Sequence, residues 1–271
     1  MSAPLSIAFS PCPNDTFVFH ALAHGLVPGA PALDVTFADV DVTNTAALDG
    51  RFDLVKVSYA ALPWLLDRYE LLPCGGALGR GCGPLLLTAG RADISGATVA
   101  VPGDRTTAYL LFRLWAQQSG QVPGRIEVVP FHEIMPGVAA GRFDAGLVIH
   151  EARFTYPRYG LTSLVDLGEW WETDTGLPIP LGAILARRGA VDPVAAAAWV
   201  RASVRAAWAD PAASRDYVLA HAQEMEPEVV DQHIKLYVNE FTEELGEAGH
   251  AAARALLTRA AAAGLTPAVV L

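Results

Sequence analysis

His150 follows a short apolar segment that is typical of a buried β-strand. The residues Gly-Leu-Val-Ile at 146–149 precede it, and Glu151 comes next. The ordinary pKa of histidine is about 6.5, so a neutral imidazole in a partly dry cleft can accept a proton without a metal. His150 is therefore a candidate general base. A hydrogen-bonded histidine that only closes the strand fits the same position, and position alone leaves both interpretations open.

One of the two lysines in the chain lies inside an apolar run. Lys56 is at the centre of residues 54–58, a segment that predicts a buried strand. Burying an ammonium costs several kcal/mol unless it is paired or turned into a polar cleft, so Lys56 predicts an acidic partner or an anionic substrate. A strand-edge lysine that reaches water is the alternative. Ser58, two residues further on, shares the face of the strand that carries Lys56.

Two predicted turns between a strand and a helix have the composition of anion sites. Residues 101–107 lead into a predicted helix over 107–118, and residues 10–16 lead into a predicted helix over 15–24. Capping side chains, free backbone amides and the positive end of the helix dipole favour an anion at such a turn. Each turn also fits an ordinary N-cap. The candidate binding residues are Arg105, Thr106 and Thr107 in the first turn, and Asn14 and Asp15 in the second.

Other chemistries lack the residues that they require. The three cysteines have no zinc-site spacing, and no Gly-x-Ser-x-Gly elbow is present. The glycine-rich segment 75–83 precedes a predicted strand, whereas phosphate-binding loops open a helix. These absences argue against metal, hydrolytic and nucleotide chemistry.

Composition excludes further classes of partner. The chain has 271 residues and a formal net charge of −10, without the basic stripe that binds nucleic acid or anionic lipid. No apolar run approaches the roughly 18 to 20 residues of a membrane-spanning helix. The first nine residues lack the basic and hydrophobic regions of a secretory signal, which favours a cytoplasmic location. The oligomeric state is not indicated.

A repeated tetrapeptide indicates the architecture. Gly-Arg-Phe-Asp occurs at 50–53 and again at 141–144, each time between a helical pattern and a buried strand. This favours two related α/β lobes, with the polar residues at the strand ends facing one cleft between them. The further predicted strands are 5–10, 35–37, 54–58, 85–88, 98–101, 126–129 and 145–149.

The chain crosses twice between the predicted lobes, which is the topology of periplasmic-binding proteins. We expect residues 1–90 and 178–271 to form the first lobe, and residues 91–177 to form the second. The alanine-rich segment from about residue 194 onward predicts helices that flank the first lobe.

Several motifs resemble those of the 1,4-dihydroxy-6-naphthoate synthases, enzymes of the futalosine route to menaquinone. They are Ser-Pro-Cys-Pro-Asn-Asp-Thr-Phe at 10–17, Lys-Val-Ser-Tyr at 56–59, Gly-Arg-Gly-Cys-Gly-Pro at 79–84, Thr-Thr-Ala at 106–108, Val-Ile-His-Glu-Ala-Arg at 148–153 and Gly-Leu-Pro-Ile-Pro-Leu-Gly at 176–182. The first and fifth motifs are the most specific. Together the motifs span nearly all of the α/β part.

This resemblance implies a type II periplasmic-binding-protein fold and a cytoplasmic lyase without metal or organic cofactor. The implied reaction converts cyclic dehypoxanthinyl futalosine, the small-molecule partner, into 1,4-dihydroxy-6-naphthoate. The resemblance makes His150 the proton acceptor. It assigns substrate binding to Lys56, Val57, Ser58 and the turn at 106–107.

Two alternatives remain at this point. A chorismate dehydratase-like enzyme of the same pathway shares the fold, although that family lacks the Pro-Cys-Pro-Asn-Asp loop and the strand-end histidine. A non-catalytic protein that binds a small anion also shares the fold, and we expect such a receptor to carry a secretion signal.

Overall fold

The computed structural model describes residues 3–222 and 226–271, which form two β-sheets flanked by helices. The strands are β1 (Leu5–Phe9), β2 (Leu33–Phe37), β3 (Leu54–Ser58), β4 (Tyr69–Leu71), β5 (Ala77–Gly79), β6 (Leu85–Thr88), β7 (Thr98–Val101), β8 (Arg125–Val128), β9 (Ala145–Val148), β10 (Thr162–Asp166) and β11 (Ile179–Arg187).

The α-helices alternate with strands in the first two-thirds of the chain and follow one another in the last third. They are α1 (Pro13–Ala23), α2 (Val40–Leu48), α3 (Thr107–Ser119), α4 (Phe131–Ala139), α5 (Ala152–Thr155), α6 (Leu167–Thr175), α7 (Pro193–Ala209), α8 (Arg215–His221), α9 (Pro227–Tyr237), α10 (Glu240–Glu243) and α11 (Gly246–Ala262). Short 3-10 helices cover Tyr59–Trp64, Tyr156–Tyr159 and Pro211–Ser214.

The two sheets confirm the predicted two-lobe α/β architecture. The first has the strand order β2-β1-β3-β11-β4, with β5 also paired to β11, and the second has the order β10-β6-β9-β7-β8. In the first sheet β1 runs parallel to β2 and β3, while β11 is antiparallel to β3. In the second sheet β7 runs parallel to β8 and β9, while β6 is antiparallel to β9. The chain crosses between the sheets after β5 and returns before β11.

Strand β6 belongs to the second sheet, although the predicted boundary between the lobes, at residues 90/91, lies after it. Strands of the first sheet come from residues 5–79 and 179–187, and those of the second from residues 85–166. The division at residues 90/91 and 177/178 stays a proposal. Residues 1–2 and 223–225 of the proposed first lobe lie outside the described residues.

The repeated tetrapeptide has the same role in both sheets. The Asp53 carboxylate accepts a hydrogen bond from the Ser6 amide at 2.9 Å, and the Asp144 carboxylate accepts one from the Thr98 amide at 2.8 Å. Each aspartate amide in turn donates to the carbonyl of the same partner residue. Each copy thus joins a strand to its parallel neighbour, β3 to β1 and β9 to β7.

Three predicted boundaries differ from the structure near the cleft, and in the first of them β1 ends at Phe9, one residue before the predicted end. Helix α1 begins at Pro13, two residues before the predicted start, because proline fits the first helical position and needs no amide partner there. Strand β9 ends at Val148, one residue early, because the backbone turns at His150.

The C-terminal helices cover the first sheet, as the alanine-rich pattern predicts. Helix α1 packs against α7, α8 and α9, and α11 packs against β11. The Asp192 carboxylate caps α7 by accepting a hydrogen bond from the Val194 amide. None of the helices within residues 3–222 and 226–271 is both long and apolar enough to cross a membrane.

Candidate active site

A cleft of about 670 Å³, including its open mouth, lies between the two sheets. Turns that follow β1, β3, β7 and β9 reach it, because the carboxyl ends of these strands point to the same side. It brings together seven of the nine residues proposed from sequence: Asn14, Asp15, Lys56, Ser58, Thr106, Thr107 and His150.

His150 has a strained backbone at the wall of this cleft. Among the described residues it is the only non-glycine residue with a positive φ, at 54°. A side chain in this left-handed region costs on the order of 1–3 kcal/mol, and such strain concentrates at functional sites. The imidazole packs edge-on against Phe131, with ring centroids 5.7 Å apart, and lies nearly parallel to His233 at 6.2 Å. These contacts hold the ring in place despite the strained turn.

The surroundings of His150 keep its imidazole neutral. Burial is the larger cause and the nearby Lys56 ammonium the smaller, and together they lower the pKa of His150 to about 4. The side chain therefore carries a free nitrogen lone pair at neutral pH, which a general base requires.

Lys56 has the acidic partner that its buried position predicts. Its ammonium forms an ion pair with the Asp15 carboxylate, and the Asn14 amide donates to the same carboxylate oxygen at 2.7 Å. Burial raises the pKa of Asp15, and the ammonium opposes that rise. A Cβ atom at Gly182 would lie 3.1 Å from Cε of Lys56, so the absence of a side chain there gives the lysine stem its room.

Ser58 is fixed by a residue that sequence reasoning missed. The Asn44 carbonyl oxygen accepts from the Ser58 amide at 2.8 Å, and the Asn44 amide group donates to the Ser58 hydroxyl at 3.1 Å. Asn44 lies buried on α2, and no local sequence pattern marks it. Val57 points the other way, into the hydrophobic core, so its side chain does not line the cleft.

The start of α3 links the two lobes. The Thr106 hydroxyl caps the helix by accepting from the Tyr109 amide at 3.2 Å. The Thr107 hydroxyl donates to the Leu181 carbonyl in the first sheet at 2.8 Å. The first turn of α3 thus faces the cleft while tied to the opposite lobe.

The structure does not bring Arg105 to the cleft. Its guanidinium lies over the Trp64 ring at 5.9 Å and pairs with Asp104 at 3.6 Å. Because the helix start directs Thr106 and Thr107 inward, the preceding side chain points outward. Only the Arg105 carbonyl, which accepts from Asn44 at 3.4 Å, approaches the site.

Two further side chains reach the cleft region from α9, a helix that sequence reasoning treated only as a flank. His233 is fully buried, and its Nε2 lies 2.9 Å from the carbonyl oxygen of Asn14. Tyr237, one turn later, lines the cleft, and burial raises the pKa of its phenol. A histidine on the apolar face of an amphipathic helix was the available sequence signal.

Three side chains near the base could hold a metal ion. One donor atom each of Cys12, His150 and Glu151 lie within 4.8 Å of one another. Burial raises the pKa of the Cys12 thiol well above its usual value, so this sulfur is protonated and poorly suited to bind zinc. A metal here would also occupy the lone pair of His150.

Comparisons with known proteins show the family to which this chain belongs. A family model described as "Menaquinone biosynthesis" matches residues 5–262. A 1,4-dihydroxy-6-naphthoate synthase from Streptomyces coelicolor is 68% identical, covering 98% of this chain and 95% of that protein. One from Thermus thermophilus is 50% identical, covering 96% of this chain and 95% of that protein.

Solved structures show the same fold. The crystal structure of a protein from Archaeoglobus fulgidus has a TM-score of 0.90 and 30% identity, covering 97% of this chain and 98% of that one. An alkanesulfonate-binding protein from Xanthomonas axonopodis has a TM-score of 0.74 and 17% identity, covering 98% and 95% of the two chains. The second likeness establishes the periplasmic-binding-protein fold and nothing more.

Proposed function

The chain belongs to the menaquinone-biosynthesis family as an enzyme of its 1,4-dihydroxy-6-naphthoate synthase group, and on this premise we propose that it converts cyclic dehypoxanthinyl futalosine. The product is 1,4-dihydroxy-6-naphthoate, and His150 acts as the general base in the interlobe cleft. The enzyme is a lyase that works in the cytoplasm without metal or organic cofactor.

The neutral imidazole of His150, carried at the cleft wall on a strained backbone, is the observation that supports this proposal. His150 removes a proton from the cyclised substrate, the bond to the sugar-derived fragment then breaks, and aromatisation of the new ring drives the reaction. A pKa of about 4 makes the free imidazole a weak base. An anionic substrate beside Lys56 offsets the ammonium and raises the pKa of His150 when the proton must be taken.

The substrate carboxylate binds at the first turn of α3. Among the described helices, α1, α2 and α3 place first-turn residues in the lining of the cleft. Helix α1 carries Asp15 in this turn and α2 carries Asp41, whereas α3 has no acidic residue there. Of these three helix termini, that of α3 therefore offers its amides to an anion without a competing carboxylate. Lys56 and Ser58, across the cleft, bind oxygen atoms of the remaining substrate. Closure of the lobes excludes water and strengthens these contacts.

The decisive experiment is turnover by a His150→Ala variant. The purified enzyme is incubated with cyclic dehypoxanthinyl futalosine, product is followed by mass spectrometry, and substrate affinity is measured by calorimetry. We expect a loss of about 100- to 10,000-fold in kcat, as for removal of a general base, with affinity largely retained. Exposed His132 provides the matched control, His132→Ala, which should keep wild-type turnover. Near wild-type kcat in His150→Ala would falsify the assignment.

A parallel incubation with chorismate tests the alternative enzyme of the same pathway. The two curated relatives carry the synthase name, so we expect no turnover of chorismate. Binding of either compound without product would support a receptor and contradict our proposal.

A further inference from the structure

Helix α9 contributes a fully buried histidine to the polar groups behind His150. We propose that His233 is a positioning residue that holds Lys56 in place through Asn14 and Asp15. This inference rests on the proposed function, because it concerns Lys56, which would bind the substrate and which lowers the pKa of the proposed base, His150. His233 is 0% exposed and does not line the cleft, so it acts through other residues and not on substrate.

A continuous chain of contacts runs from His233 to Lys56. Nε2 of His233 lies 2.9 Å from the Asn14 carbonyl oxygen, and the Asn14 amide nitrogen donates to Asp15 at 2.7 Å. The same Asp15 oxygen accepts from the Lys56 ammonium. His233 is thus at one end of a buried chain of hydrogen bonds, and the Lys56 ammonium in the cleft is at the other end.

The direction of these hydrogen bonds fixes the state of the imidazole. Asn14 must aim its amide nitrogen at the Asp15 carboxylate, because a carboxylate can only accept. Its carbonyl oxygen then faces His233, so Nε2 of His233 must carry a hydrogen atom. An Asn14 side chain turned the other way would bring two acceptors together at Asp15 and leave Lys56 with a mobile partner.

The second nitrogen of His233 faces the residue that follows the base. Nδ1 lies 4.0 Å from Oε2 of Glu151, and it has no hydrogen-bond partner among the described residues. His233 therefore stands between the Lys56 pair in one lobe and the turn that carries His150 in the other.

Imidazole suits this position because it stays neutral there. Burial lowers the pKa of His233 well below its usual value, and the neighbouring His150 and Lys56 act in the same direction. A neutral ring keeps one N–H donor, which is what the carbonyl oxygen of Asn14 requires. Four titratable side chains face His150, namely those of Lys56, Cys12, Glu151 and His233.

Two substitutions separate positioning from simple packing. His233→Gln keeps an N–H at about the reach of Nε2, while His233→Leu fills the space without a donor. We expect His233→Leu to lower kcat/KM by about 10- to 100-fold, because Asn14 loses a buried partner, and His233→Gln to recover most of that loss. Lys235→Gln, an exposed change on the same helix, is the control.

The pH profile provides a readout that packing alone would not move. Lys56 lowers the pKa of His150, so a displaced ammonium should let that pKa rise and shift the acid limb of kcat/KM to higher pH in His233→Leu. Equal losses in both His233 variants, with an unchanged acid limb, would overturn the proposal.

Nuclear magnetic resonance keeps this inference distinct from the proposed function. In the free wild-type enzyme, ¹⁵N shifts should show the Nε2–H tautomer for His233, and a titration should show a higher pKa of His150 in His233→Leu. An Nδ1–H tautomer, or an unmoved pKa of His150, refutes the positioning role. Absence of turnover by the wild-type enzyme, with these shifts present, refutes only the proposed substrate.

Discussion

The pH dependence of the free enzyme gives the sharpest test of how the cleft tunes His150. Burial and Lys56 lower the pKa of this side chain from its usual 6.5 to about 4. At pH 5.5, about 97% of the imidazole would then be neutral, against about 9% for an unperturbed histidine. kcat/KM should therefore stay nearly constant between pH 7 and pH 5.5 instead of falling about eightfold.

The assay follows product formation at low substrate concentration between pH 4 and pH 8. Because the substrate carboxylate titrates in a similar range, the same pKa is measured directly by following the imidazole Cε1–H resonance of His150. His150→Gln identifies that resonance by its disappearance. A midpoint near pH 6.5 in both measurements would refute our account of the site.

A Lys56→Met variant tests the smaller of the two causes. Removing the ammonium should raise the pKa of His150 but leave it below 6.5, because burial remains the larger effect. An unchanged pKa would mean that the charge of Lys56 does not act on His150. Thermal unfolding of the variant checks that Asp15, left without its partner, does not disrupt the fold.

The lowered pKa of His150 in the wild-type protein also predicts how the free energy of unfolding depends on pH. The folded state disfavours protonation of His150, so its contribution to stability is fully present above pH 6.5 and is lost as the pH falls toward 4. The loss amounts to at most about 3 kcal/mol. Urea denaturation of wild type and His150→Gln at pH 7 and pH 4.5 measures it, and an equal pH dependence in both proteins would contradict the prediction.

Three other outcomes follow from the geometry. Asn44→Ala should lower the free energy of unfolding by about 1–3 kcal/mol, because Ser58 loses two buried hydrogen bonds, and urea denaturation should show a larger loss than for exposed Thr45→Ala. Arg105→Ala should change KM by no more than about twofold, as for an ordinary surface change, and a tenfold rise would place the guanidinium in the site. Dialysis against a chelator should leave kcat unchanged, and a loss that zinc alone restores would show a metal requirement.

Local sequence patterns predict the strands that carry the site. The apolar runs at 54–58, 85–88 and 98–101 coincide with strands β3, β6 and β7, because each is apolar and ends at turn-forming residues. The repeated tetrapeptide also predicts the relation between the two sheets. Its aspartates make equivalent hydrogen bonds in both, so the repeated sequence corresponds to a repeated structure.

Strand β11 could not be predicted in the same way. Its nine residues include Pro180 and Gly182, which usually mark a turn or a strand edge. The pairing of β11 with β5 shifts register between these two residues, so the strand accommodates a proline without an amide partner. Gly182 is needed for a tertiary reason, since Lys56 occupies the space beside it. Contacts between distant segments therefore decide this strand.

His233 and Asn44 could not be assigned to the site for a related reason. Their partners are Asn14 and Ser58, and the first of these contacts joins residues 219 positions apart. Periodicity indicates that a helical residue faces the interior, but not which polar group it meets there. The strand-end position of His150 is a local feature, whereas the network behind it depends on how the C-terminal helices dock.

The structure also revises the explanation of how an acidic chain attracts an acidic substrate. With a net charge of −10, positive potential must be local, and the sequence suggests Lys56 and Arg105 as its source. Arg105 points away, and Lys56 is already paired with Asp15. Because Asp15 compensates much of the charge of Lys56, the pair attracts a distant anion only weakly, although the ammonium still lowers the pKa of the nearby His150. The first turn of α3, which carries no acidic side chain, is left as the main attraction for a carboxylate.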